Sequence, residues 1–97
     1  MNNILVPSDF SPSANRAADV AIAIAEQSGA EIHFLHLQIT PVPWVKLDKE
    51  KEQRFPETLK EIGHAKNELS KLVKKAEEKG LKAEQFLVFD VGREEIL

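Results

Sequence analysis

The sequence predicts an α/β domain with a parallel sheet, on three observations. Short apolar runs recur as Ile4-Leu5-Val6 and Phe86-Leu87-Val88-Phe89, and Ile32, Phe34 and Leu35 lie inside a third such segment, Glu31 to Leu37. Segments with apolar residues at helical spacing separate them. The first strand, helix and strand follow one another through short connections, as a βαβ unit with a right-handed crossover requires.

Each element has its own local reason. Ile4-Leu5-Val6, closed by Pro7, is apolar without alternation, which suits a strand buried on both faces. Ser11-Pro12 is a helix start: the Ser11 hydroxyl can accept from an orphan backbone N–H, and proline at the first helical position lacks one. Ala14, Ala17, Ala18, Ala21, Ile22 and Ala25 then share a face whose small residues let the helix lie close to a sheet. Gly29 supplies the left-handed stop. Residues 31–37 form the second strand, parallel to the first. Residues 38–56 break the rhythm with Pro41, Pro43, Pro56 and a mixed-charge run from Lys46 to Arg54, predicting a loop with a short helical turn. Leu59, Ile62, Leu69, Leu72, Val73 and Ala76 give a second long helix over 57–79, closed by Gly80. Residues 83–89 form the third strand, and 91–97 read as a turn entering a further helix. We expect residues 1–97 to be the N-terminal part only of one domain, with the end at Leu97 a cut inside it.

Composition narrows the class. Ninety-seven residues suit one domain, and 42% hydrophobic content allows a modest core. A net charge of -3 gives no reason to expect nucleic-acid or anionic-membrane binding. Without cysteine, disulfides and thiolate metal sites are excluded. Met1-Asn2-Asn3 lacks a basic leader, and Ala14 to Ala25 is too short and too interrupted by Asn15, Arg16 and Asp19 to span a bilayer. The expectation is a cytoplasmic domain.

Pro7-Ser8-Asp9 is the candidate site, because open α/β sheets bind ligands outside the carboxyl ends of their strands. A carboxylate there can take ribose hydroxyls or a base edge. Equally, Asp9 can serve only to form the turn before the helix. His33 and His36, three apart on a strand, point to opposite faces and cannot easily share an ion, and His64 has no partner at a ligand spacing. No metal site is expected. Ser8, Ser11 and Ser13 lack an identifiable base, so we expect no catalysis. Trp44, in a proline-stiffened loop, either covers a ligand or packs onto its own domain, and the second is the commoner outcome.

Ile4-Leu5-Val6-Pro7-Ser8-Asp9-Phe10-Ser11 resembles the opening strand and loop of universal stress proteins. The resemblance continues through the alanine-rich helix, Gly29-Ala30-Glu31-Ile32-His33-Phe34-Leu35-His36-Leu37, and Val91-Gly92-Arg93-Glu94-Glu95-Ile96-Leu97. It implies a three-layer α/β/α fold, adenine-nucleotide alpha hydrolase-like, with five parallel strands in the order 3-2-1-4-5. It also implies homodimers and, in many members, bound ATP. Nucleotide contacts would then map onto Pro7, Ser8 and Asp9, with Leu37 beside the adenine; Ser8 stands where threonine is common. The glycine-rich phosphate segment that follows the fourth strand in those relatives is not among these 97 residues, and neither are the fourth and fifth strands. ATP is therefore the cofactor expected of a full-length form, with weak binding or none by this chain. The first strand would become an exposed edge, and we expect self-association there. The alternatives are an interaction module of the same fold without nucleotide, and a receiver-like signalling domain, which the lone Asp9 makes less suitable.

Overall fold

The structure, a computed structural model, describes residues 2–91. The elements are β1 (Asn3–Pro7), α1 (Pro12–Ser28), β2 (Glu31–Thr40), a single 3-10 turn (Trp44–Lys46), α2 (Lys49–Glu52), α3 (Pro56–Glu78) and β3 (Ala83–Val91). The strands form one parallel sheet in the order β1-β2-β3, with Leu5 opposite His33 and Leu35 opposite Phe86.

Local chemistry fixes the helix ends. Ser11 is extended and its hydroxyl accepts from the Ala14 N–H at 3.1 Å, with Pro12 opening α1. Gly29 ends α1 at φ 73, its N–H donating to the Ala25 carbonyl. α3 ends in a Schellman arrangement: Gly80 at φ 81 donates to Glu77, and Leu81 donates to Ala76. Asp48 caps the one-turn α2 through the Lys51 N–H at 2.8 Å.

Two successive right-handed crossovers stepping the same way put α1 and α3 on the same face of the sheet. Their buried faces meet the strands there: Ala18 and Ile22 from α1, Leu69, Leu72 and Ala76 from α3, over Val6, Ile32 and Phe34. Lys75 Nζ reaches Asp19 Oδ1 at 2.6 Å, tying the two helices side by side. The opposite face carries Leu5, Leu37, Ile39, Phe86 and Val88, all exposed. A second helical layer, expected of the three-layer fold, does not come from the described residues.

Some boundaries differ from the sequence reading. β2 continues to Thr40, beyond the expected end at Leu37, because Gln38 and Thr40 are buried polar residues beneath α3 and beside β3. Gln38 Nε2 donates to Glu61 Oε1 at 3.0 Å, and Thr40 Oγ1 donates to the Val42 carbonyl at 2.7 Å, so neither is left unpaired. β3 runs on to Val91 along this longer neighbour. Within 38–56, Trp44 is buried and packs edge-on to Phe55 at 6.0 Å, so it packs onto its own domain. The helix expected to start within 91–97 lies, apart from Val91, outside the described residues.

Candidate functional site

The carboxyl end of β1, the middle of β2 and the turn into α1 make the site. Ser8 continues the ladder, donating its N–H to the Leu35 carbonyl at 2.8 Å. Its buried hydroxyl accepts from the Phe10 N–H at 3.0 Å, and its carbonyl accepts from His36 Nδ1 at 2.8 Å. A carbonyl only accepts, so His36 carries a proton on Nδ1. Asp9 Oδ1 accepts from the Ser11 N–H at 3.0 Å. The turn-forming reading of Asp9 therefore holds, while the carboxylate stays exposed and its other oxygen remains available. The Ser11 hydroxyl first, then its N–H, holds the Asp9 carboxyl below the usual carboxylate range, with a smaller contribution from His36.

Phe10 has a left-handed backbone, φ 66, unusual for a bulky residue. The conformation lays its ring over His36, centroids 4.5 Å apart and planes at 28°, and sets its edge to His64 at 6.2 Å. Two concavities adjoin this turn. One, about 540 Å³, is lined by Pro7, Ser8, Asp9 and Leu37, with Ser11, Ala14 and Ala17 of α1 and its cap. All four residues singled out in the sequence are thus brought together. The other, about 750 Å³, lies toward α3 and is lined by Phe10, Gln38, Glu57, Lys60, Glu61 and His64. Asp9 and His36 border both.

Leu37 contributes main chain as well as side chain. Ser8 donating to Leu35, and Glu31 donating to Asn2, show that odd-numbered residues of β2 turn their N–H and C=O toward β1. β1 ends at Pro7, opposite Leu35. The Leu37 N–H and C=O therefore project past the end of β1 into the cleft, with no backbone partner among the described residues.

Sequence reasoning missed Phe10, His36 and His64 as parts of one constellation. Spacing carries no sign of it, since the three come together only when α3 folds over the sheet. His33 and His36 do point to opposite faces, and among the described residues no cluster of three metal-ligating side chains forms.

The description "Universal stress protein family" belongs to the family profile that matches residues 1–97. No curated protein matches significantly. Among solved structures, a universal stress protein family member from Burkholderia pseudomallei superposes with a TM-score of 0.67 at 20% identity, covering 98% of this chain and 66% of its own. UspA from Lactobacillus plantarum gives 0.72 at 21%, with 93% and 61% covered. A universal stress protein in complex with cAMP gives 0.59 at 21%, with 95% and 62% covered. The chain thus spans roughly three fifths to two thirds of the length of these relatives.

Proposed function

Since the chain belongs to the universal stress protein family, we propose that it supplies the adenosine-binding side of a regulatory adenine-nucleotide site, with no catalytic role, in the cytoplasm. The observation that carries this reading is the free Leu37 main chain beside Asp9 at the end of β1. An N–H and a C=O on one residue match the acceptor and donor edge of adenine: the carbonyl takes the exocyclic amine and the N–H gives to a ring nitrogen. The exposed Asp9 oxygen accepts from ribose hydroxyls. Its negative charge disfavours phosphate at the same spot, so the phosphates of an ATP would lie toward the free side of β1, where this chain offers one wall only. The cAMP complex among the structural neighbours supports an adenine ligand for the fold.

The test is an amide-resolved NMR titration of the chain with adenosine, cAMP, ATP and guanosine. Expected are weak, saturable shifts at Ser8, Asp9 and Leu37 with the adenine ligands, little gain from added phosphates, and loss in Asp9→Ala. Equal shifts with guanosine, or no shifts with adenosine, would sink the reading. The second reading, an interaction module, is favoured by the exposed sheet face bearing Leu37, Ile39, Phe86 and Val88.

A further inference from the structure

We propose that the concavity between Phe10 and α3 binds a small organic cation with an N–H-bearing head, an alkylammonium or guanidinium, beside the Pro7-Ser8-Asp9 cleft.

The walls of this concavity come from described residues. Glu57, Lys60, Glu61 and His64 recur three and four apart, so a single face of α3 lines it. Asp9 and Phe10, from the turn after β1, and Gln38 of β2 complete the lining. The volume, about 750 Å³, suits a small molecule.

Gln38 indicates what chemistry fits. The residue is 6% exposed, and its Nε2 donates to Glu61 Oε1 at 3.0 Å and to the Ile39 carbonyl at 3.2 Å. Both partners only accept, which fixes the amide orientation and leaves Oε1 over. Oε1 has no hydrogen-bond partner among the described residues, and it is not sealed from solvent as His33 Nε2 is. A buried acceptor that opens into a concavity needs a donor from whatever enters.

The charges point the same way. Asp9, Glu57 and Glu61 set three carboxylates around the concavity against one ammonium, that of Lys60. Among the described residues none of these four charges joins an ion pair. The start of α3 argues for an anion, because Phe55 makes no side-chain cap and leaves N–H groups open. Glu57 stands in that first turn and offsets the dipole. A bare metal ion is a poorer match, since no cluster of three metal-ligating side chains forms among the described residues. Separate acceptors suit a head with several N–H groups, and Phe10 supplies an aromatic surface for the cation or its alkyl part.

Adenosine recognition is a separate matter, because Ser8 and Leu37 line the other concavity and not this one. The probe is agmatine, which carries both kinds of head, titrated into the 97-residue chain at fixed ionic strength and followed by NMR. Saturable shifts are expected at the Gln38 side-chain amide, the Glu61 amide and the His64 ring, with little change at Leu37. Tetramethylammonium, a cation without N–H groups, and inorganic phosphate should give no comparable response. Gln38→Leu should weaken agmatine binding about ten-fold, and the exposed Glu57→Gln about three-fold. Glu77→Gln, near the far end of α3, should leave it unchanged. Equal shifts from tetramethylammonium, a stronger response to phosphate, or equal affinities in Glu57→Gln and Glu77→Gln would overturn the proposal. If Gln38→Leu does not fold, the comparison of Glu57→Gln with Glu77→Gln decides alone. Adenosine shifts at Leu37 without any agmatine response would reject this site and leave the adenosine reading standing.

Discussion

His36 donates from Nδ1 to the Ser8 carbonyl at 2.8 Å, joining the end of β1 to the middle of β2 across 28 positions of sequence. The bond replaces the ladder where β1 has stopped, and it holds Ser8, Asp9 and Phe10 in place around the cleft. His36→Phe keeps an aromatic partner for Phe10 and removes the donor. We expect a loss of about 1 kcal/mol in urea unfolding and amide shifts concentrated at Ser8 to Ser11.

Phe10 combines a left-handed backbone with a stacked ring, and two substitutions separate the contributions. Phe10→Ala loses the ring and keeps a Cβ in the disfavoured conformation. Phe10→Gly loses the ring but relieves about 1 kcal/mol of backbone cost. Glycine should therefore be better tolerated than alanine at this position, the reverse of the order in a helix. Equal unfolding midpoints for the two variants would show that the left-handed conformation stores no such cost.

The glycines give an opposed pair. Gly63 lies inside α3, is exposed, and an added Cβ meets nothing within 4 Å. Gly63→Ala should stabilise by about 0.5–1 kcal/mol through lower unfolded-chain entropy. Gly80 has equally open surroundings but φ 81, so Gly80→Ala should destabilise by roughly 1 kcal/mol. With space equal at both sites, the difference in urea midpoint isolates the backbone conformation.

How much of this was legible in sequence depended on how local each cause was. Ser11, Pro12 and Gly29 act within one turn of themselves, and α1 begins and ends where they indicate. Gln38 and Thr40 look like loop residues because they are polar, yet they are inward-facing on a strand and find partners in Glu61 and Val42. Pro7, Ser8 and Asp9 stood out because ligands lie outside strand ends in open parallel sheets, and Leu37 only through the family resemblance; the fold lines one concavity with all four. The Phe10, His36 and His64 constellation was not legible, since a positive φ and contacts across 26 to 54 positions leave no periodic trace.

Asp9 makes a pH-dependent contribution whose sign follows from the Ser11 hydrogen bonds. They hold the folded carboxyl below its unfolded value of about 3.9. The folded chain thus binds fewer protons than the unfolded one between the two pKa values. The stabilisation is complete above the unfolded value and is lost as pH falls through the folded one. Asp9→Asn keeps an oxygen to accept from Ser11 but cannot titrate. Urea midpoints from pH 6 down to pH 2.5 should fall less steeply in Asp9→Asn than in the parent chain, with the difference confined below about pH 5. Parallel curves would mean that the Ser11 hydrogen bonds do not favour the ionised form.

The open sheet face supplies the last prediction. Phe86 and Val88 on β3 share this face with Leu37 and Ile39 on β2, and all four are more than two fifths exposed. No described helix lies over them, so their transfer to water costs the folded chain nothing further when one becomes charged. Val88→Lys should leave the unfolding free energy within about 0.5 kcal/mol of the parent. It should raise solubility and reduce binding of a hydrophobic dye, because it divides the apolar patch. Phe34→Ala, on the covered face at full burial, should instead cost about 3–5 kcal/mol. A Val88→Lys loss comparable to that of Phe34→Ala would show that this face is buried in solution.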